Sequence, residues 1–68
     1  MESLTIDGDY LRTIRINQGM TQKQLSKKAY LSERQLRTLE KNGHTTLNTV
    51  YALSDALECD FINLIKQK

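Results

Sequence analysis

Four side chains within eight positions could do recognition chemistry: Arg34, Arg37, Thr38 and Lys41. A guanidinium offers two parallel N–H donors, the arrangement that grips guanine O6 and N7 from the major groove of duplex DNA. A hydroxyl beside it can accept from or donate to a base edge, and an ammonium neutralises a phosphate. Arg34 ranks first and Arg37 second as base readers. Glu33 admits two roles, acceptor from cytosine N4 or surface partner of Arg37 four residues on, and the ion pair is favoured in the free protein. These residues also fit the solvated face of any amphipathic helix, so their meaning depends on the elements that hold them.

Those elements begin at two matched pairs. Thr21 with Gln24 and Ser32 with Gln35 both fit the capping box, in which hydroxyl and amide each accept from the other's otherwise unpaired backbone N–H. Eleven residues separate the two starts. Between them only Leu25, Ala29 and Leu31 face inward, and the stretch near Tyr30 has room for a tight turn alone. The pair reads as a helix-turn-helix. In its second helix, running from Ser32 to near Lys41, Leu36 and Leu39 mark the buried side. At about 100° per residue, Arg34 and Lys41 then lie opposite, flanked by Arg37 and Thr38. A short, firmly capped helix with that face suits a major groove about 12 Å wide.

Apolar residues elsewhere recur at three and four positions rather than two, which predicts an all-α chain, a compact bundle of four to five helices. The first helix is expected from about Gly8 or Asp9 to Gln18, with Leu11 and Ile14 inward and Gly19 ending it. The second covers Thr21 to about Ala29, and Asn42-Gly43 stops the third. A fourth spans about Leu47 to Leu57, with Leu47, Val50, Tyr51, Leu53 and Leu57 as a wide apolar face. Asp60 is the expected cap of a last helix carrying Phe61, Ile62, Leu64 and Ile65. A small bundle need not bury all four, so Phe61, Ile62 and Ile65 are candidates for a dimer surface. The expected organisation is an N-terminal arm and helix-one cap over 1–9, the main domain over 10–65 and a tail over 66–68. Residues 1–6, MESLTI, read either as a disordered segment or as a short extended arm.

Composition narrows the function classes. A chain of 68 residues is one domain, and one of this size buries only about 60% of the surface its unfolded form exposes, so no deep enzyme cleft is expected. No nucleophile, base and oxyanion donors converge, which speaks against an enzyme. The single Cys59 excludes an intramolecular disulfide, and with the single His44 it makes no metal site of the usual spacing. No metal, cofactor or small-molecule ligand is expected, and Cys59 reads as core filler. The start MESLTIDGDY has neither a basic cluster nor an apolar run, so it reads as neither signal peptide nor membrane anchor, and the expected location is cytoplasmic. The net charge of +2 is unevenly placed: Tyr10 to Thr45 holds eight basic and two acidic residues, a balance of +6, and the remainder two basic and six acidic, a balance of −4. A basic centre of this kind points to a polyanionic partner.

The stretch LRTIRINQGMTQKQLSKKAYLSERQLRTLEKNG resembles the Cro and phage-repressor type, or Xre, helix-turn-helix family. The resemblance covers roughly Tyr10 to Ile65 and rests on Arg15, QGMTQKQL at the start of the second helix, the LS turn, and Leu39-Glu40. It implies a lambda-repressor-like bundle that binds operator DNA, commonly as a symmetric dimer, and hence a transcriptional regulator. It implies further that Gln22 contacts a phosphate and buttresses the reading helix, with Thr21 beside it at the positive end of the second helix. Glu33, Arg34 and Thr38 match base-reading positions. Lys41, Asn42 and His44 fall in a loop that touches the DNA backbone, with Ser32 and Gln35 at the opposite end of the same helix. Arg15 and Glu40 match a buried structural ion pair rather than a DNA contact. Three positions depart from the family pattern: Ser26 replaces the usual alanine, Tyr30 stands where glycine is frequent, and the loop after Glu40 lacks the common proline and is about one residue shorter. At Tyr30 a positive φ would mean strain.

The expected partner is thus double-stranded operator DNA bound by a homodimer, formed in free solution or on the DNA, with the chain acting as a repressor. Two other readings use the same bundle. An antitoxin would bind its own operator and a toxin, whereas a protein-interaction module without DNA would carry apolar or acidic residues where Arg34, Arg37 and Lys41 stand.

Overall fold

Helix starts are set by side chains that satisfy backbone donors locally. In the computed structural model, which describes residues 3–65 and of Ser3 only the backbone, Asp7 opens α1 (Gly8–Asn17) by accepting the Tyr10 N–H at 3.1 Å. Both expected capping boxes are formed. Thr21 and Gln24 exchange bonds of 3.1 and 2.8 Å at the start of α2 (Gln22–Lys28), and Ser32 and Gln35 exchange bonds of 3.0 and 2.9 Å at the start of α3 (Glu33–Asn42). Gly19 and Gly43 take the left-handed conformation after α1 and α3, at φ 73° and 76°. The chain continues through α4 (Leu47–Leu57) to a single turn, α5 (Phe61–Leu64).

The expected all-α bundle with a helix-turn-helix is what forms, with one addition. Ser3–Thr5 (β1) and His44–Thr46 (β2) pair antiparallel in the register Ser3↔Thr46, Leu4↔Thr45, Thr5↔His44. Of the two readings of MESLTI, the extended one is found for residues 3–6; Met1, Glu2 and the expected tail 66–68 lie outside the described residues. The extended segment is integral to the core. Ile6 is 1% exposed, its N–H bonds Gly43 O at 2.9 Å, and Asp7 N–H bonds Leu64 O at 2.8 Å. Gly43 is obligatory here, because a Cβ would collide with the Ile6 carbonyl oxygen. Gly8 has a similar role at the crossing of α1 and α3, where a Cβ would stand 2.8 Å from Leu39 O.

Three expectations are corrected. The segment after Glu40 is not a loop: Lys41 and Asn42 are the last residues of α3 and His44 begins β2. A strand of three residues is too short to show alternation, so its pairing with β1 is a tertiary fact. Leu47 and Tyr51 do not face inward but stay 40% and 47% exposed, while Ser54 and Ala56 join Val50, Leu53 and Leu57 on the buried side of α4. Asp60 stands at the cap position of α5 without making a side-chain capping bond.

The core gathers Leu11, Leu25, Leu36, Val50, Leu53, Leu57 and Leu64, with Ile6 closing one end. The family-atypical Ser26 is buried, and its hydroxyl donates to Lys23 O at 2.8 Å, so it adds no unsatisfied group. Cys59 packs half-buried against the core, where burial first and the Asp60 carboxylate second push its thiol above the ordinary range. That is the environment of a filler, since reactivity requires the thiolate.

One buried polar contact ties three elements. Arg15 on α1 donates through Nε to Glu40 Oε2 at 2.6 Å and through Nη2 to Oε1 at 3.2 Å. Its remaining Nη1 reaches Met20 O at 2.9 Å, just before α2. Gln22 on α2 adds a bond from Nε2 to Glu40 Oε1 at 3.2 Å. Both charged side chains are nearly out of solvent, at 11% and 6% exposure.

Removing either partner leaves the other buried and unpaired, so Arg15→Ala and Glu40→Ala should each lower unfolding free energy by about 3 to 5 kcal/mol. A denaturant double-mutant cycle should find the double variant less damaged than the sum, whereas additive losses would mean that the residues do not act as partners. At Tyr30 the backbone has φ 59° while the side chain is 94% exposed, so strain is carried without burial in return. Tyr30→Gly should therefore raise stability by about 0.5 to 1 kcal/mol, the left-handed penalty less the entropy of glycine. A lowered urea midpoint would show that the ring makes stabilising contacts.

Candidate nucleic-acid interface

The exposed face of α3 is produced by what its other face must do. Leu36 and Leu39 are buried beneath it, at 0% and 4% exposure, and Glu40 points toward α1 and α2 to meet Arg15 and Gln22. The opposite side is left to solvent, and Arg34, Arg37, Thr38 and Lys41 are all exposed there. Glu33 and Arg37 form the expected i, i+4 ion pair at 3.8 Å, with about half or more of each side chain in solvent. A pair of that exposure is worth only a few tenths of a kcal/mol, roughly 0.3–0.5, and opens readily when a stronger partner arrives.

Two open clefts flank this face. On the side of β2 and α4, a groove of about 500 Å³ is lined by Ser32, Arg34, Gln35, Thr38 and His44, together with Thr45, Thr46 and Thr49. The three threonines carry no marker in sequence, because β2 brings Thr45 and Thr46 there and the first turn of α4 brings Thr49; Thr46 and Thr49 hold their hydroxyls 3.3 Å apart. On the side of α1 and α2, a second groove of about 410 Å³ is lined by Arg12, Arg15, Gln22, Arg37, Glu40 and Lys41. Arg34 and Thr38 thus share one flank of α3, and Arg37 shares the other with Lys41.

Capping shapes what the polar residues can offer. The Thr21 and Ser32 hydroxyl oxygens accept from Gln24 and Gln35 N–H, and the two glutamine carbonyl oxygens accept in return. Each oxygen of the two boxes thus already accepts one bond, while the hydroxyl protons and amide N–H groups are left to donate, which suits an anion. Gln22 is half-buried and committed to Glu40 through one amide hydrogen. Asn42 accepts the His44 N–H at 3.2 Å, fixing the α3–β2 junction, and the His44 side chain is exposed.

The candidate dimer residues separate. Ile62 is 56% exposed, whereas Phe61 and Ile65 are half-buried and packed against the core, Ile65 bridging to Ile6. Tyr51 sits edge-on to Phe61 with ring centroids 5.0 Å apart, so Leu47, Tyr51 and Ile62 are the apolar side chains left facing solvent on α4 and α5. Among the described residues no group of His, Cys, Asp or Glu is arranged to hold a metal ion, and no helix is long and apolar enough to cross a membrane.

Similar solved structures share this fold. A single-residue variant of the restriction-modification controller protein C.Esp1396I superposes with a TM-score of 0.75 at 25% identity, over 81% of this chain and 73% of that one. The N-terminal DNA-binding domain of the master biofilm regulator SinR from Bacillus subtilis has a TM-score of 0.79 at 20% identity, over 91% and 93% of the two chains. The transcriptional regulator VanUg has 0.74 at 23%, over 97% and 88%. No curated protein sequence matches the chain. A helix-turn-helix family model matches residues 11–64, from Leu11 in α1 to Leu64 in α5. With the capped helix pair, the Arg15–Glu40 tie and the exposed face of α3 all inside that span, the chain belongs to the Cro-like, or Xre, helix-turn-helix family.

Proposed function

We propose that the chain is a sequence-specific double-stranded DNA-binding transcriptional regulator that inserts α3 into the major groove and acts as a repressor. The observation that carries this reading is the solvent-exposed row of Arg34, Arg37, Thr38 and Lys41 on a helix held rigid from behind. Arg34 takes guanine O6 and N7, Thr38 reads the neighbouring base edge, and Arg37 and Glu33 exchange their mutual pair for base contacts. Thr21, Gln22, Ser32, Gln35, Lys41, Asn42 and His44 position the domain on phosphates. A bundle of this kind acts by occupying its site, which makes exclusion of other proteins, hence repression, the direct outcome. Family membership supports the reading, and so does the controller protein C.Esp1396I among the similar structures.

A second copy pairs through Leu47, Tyr51 and Ile62, placing two third helices on half-sites roughly 10 to 10.5 base pairs apart on one side of the duplex. Symmetric pairing doubles the sequence that one short helix can read. Selection from a random duplex library tests the whole proposal: an enriched palindrome is expected, and the absence of any enriched sequence would favour a protein-interaction module.

On the selected site, Arg34→Ala should lower binding by about 1 to 3 kcal/mol and relax discrimination at one guanine per half-site. Uniform weakening on all sequences would instead make Arg34 a phosphate contact. Lys41→Ala should weaken binding broadly and reduce the salt slope by about one unit, and an unchanged slope would remove it from the interface. For the dimer, Ile62→Asp should keep full helical content by circular dichroism yet lose cooperative binding to the palindrome. Cooperative binding that survives would put the dimer surface elsewhere.

A further inference from the structure

The groove between α1 and α3 holds a cation that no part of the interface above uses. Its lining carries four cations, Arg12, Arg15, Arg37 and Lys41, against one carboxylate, Glu40. That carboxylate is already spent: Oε2 accepts from Arg15, and Oε1 accepts from Arg15 and Gln22. Arg15 and Glu40 form the nearly closed back wall, at 11% and 6% exposure, and cancel each other. What reaches solvent is the charge of Arg12, Arg37 and Lys41. Arg37 is shared with Glu33, but Arg12 and Lys41 have no ion-pair partner among the described residues. Three cations from two different helices converge on one open cleft, and of these only Arg37 has a carboxylate partner, which is the electrostatic signature of an anion seat.

Resting on the DNA-binding reading, we propose that this cleft seats a backbone phosphate of one DNA strand and that Arg12, from α1, is its dedicated cation. The geometry of insertion says which strand. An α-helix with its side chains is about 10–12 Å across and fills a major groove about 12 Å wide, so each flank of α3 lies against the phosphates of one strand. The flank toward β2 offers chiefly neutral donors, from Ser32, Gln35, Thr45, Thr46 and Thr49. The flank toward α1 offers the cations. The two strands are thus held by different chemistry, one by hydrogen bonds and the other by charge. Most of the salt dependence contributed by the α3 flanks belongs to the α1-side strand. Arg12 makes α1 part of the interface, although the α1–α3 tie through Arg15 is itself structural.

The test uses the full chain and its selected duplex, with binding followed by fluorescence anisotropy between 50 and 200 mM salt. Arg12→Ala should weaken binding roughly tenfold at the low-salt end and lower the salt slope by about 0.9, the share of one phosphate, while Arg12→Lys keeps the slope. Circular dichroism and melting should be unchanged in both variants, since Arg12 is exposed. Phosphates are then neutralised one at a time as methylphosphonates. Wild type should lose affinity at a phosphate on the α1-side strand to which Arg12→Ala is indifferent. An unchanged slope, or an equal loss at every phosphate, would overturn the seat while leaving the DNA-binding reading intact. Wild type that binds no duplex above background would overturn that reading, and the seat with it.

Discussion

Everything proposed for this domain depends on one buried ion pair made from the ends of two helices. Arg15 and Glu40 lie 25 positions apart, and their contact sets the distance and angle of α3 relative to α1. Gln22 and the Met20 carbonyl complete the site, so the start of α2 is held by the same four groups. A buried charge pair is a weak source of stability, because desolvation offsets much of the attraction. Its value here is positional. Hydrophobic contacts alone tolerate small rotations of a helix about its axis, whereas a two-pronged guanidinium–carboxylate contact does not. Rotating α3 would carry Glu40 away from Arg15 and, by the same angle, carry Arg34 and Thr38 away from any base they are proposed to read.

The same tie settles an electrostatic conflict. A carboxylate near the end of the proposed reading helix would repel a DNA backbone, yet the core geometry puts Glu40 on the wall of a cleft beside Lys41 and Arg37. Pairing it with Arg15 cancels that field locally and leaves the neighbouring cations to act outward. Of the remaining acidic residues of the described chain, only Glu33, paired with Arg37, lies within the segment from Tyr10 to Thr45, and Asp7, Asp9, Asp55, Glu58 and Asp60 all lie outside it. Asp55, Glu58 and Asp60 share one surface depression near Tyr51 and Cys59, so the domain carries a charge dipole as well as a net charge. Such a dipole turns a diffusing molecule before contact, an effect on association rate that salt screens.

Much of this was legible because the informative signals are local. The capping boxes at Thr21 and Ser32 require residues only three positions apart, and both form as the spacing implies. The inward sides of α1, α2 and α3 follow from helical periodicity, and Leu47–Leu57 is the helix its pattern predicts. The Glu33–Arg37 pair was readable for the same reason. The resemblance added what local rules cannot supply, the long-range partnership of Arg15 with Glu40. What escaped is non-local and brief. The β1–β2 pairing joins residues about forty positions apart through three-residue strands, too short for any period to register. On α4, Leu47 and Tyr51 stand at the edges of a wide apolar face, and periodicity alone does not fix which edge turns to solvent. Arg12 counts in sequence only as one of eight basic residues, because only the fold brings its exposed guanidinium beside Lys41 and Arg37.

Tyr30 shows how strain and specificity separate in so small a bundle. The turn between α2 and α3 demands a left-handed residue, and glycine would meet that demand without penalty. A tyrosine there at φ 59°, with its ring almost wholly in solvent, gains nothing from the core. The turn nevertheless closes, since Leu31 N–H bonds Ser26 O at 2.8 Å and Leu31 packs against the core on the far side. Flanking elements therefore over-determine the conformation: the α2 box and Leu25 hold one arm, the α3 box and Leu36 the other, and the intervening residue is carried through whatever its identity. The angle between α2 and α3 is consequently a property of their caps and their shared core rather than of the turn sequence. Substitutions at the turn should then move stability while leaving the exposed face of α3 where it is, whereas loss of the Arg15–Glu40 contact disturbs both together.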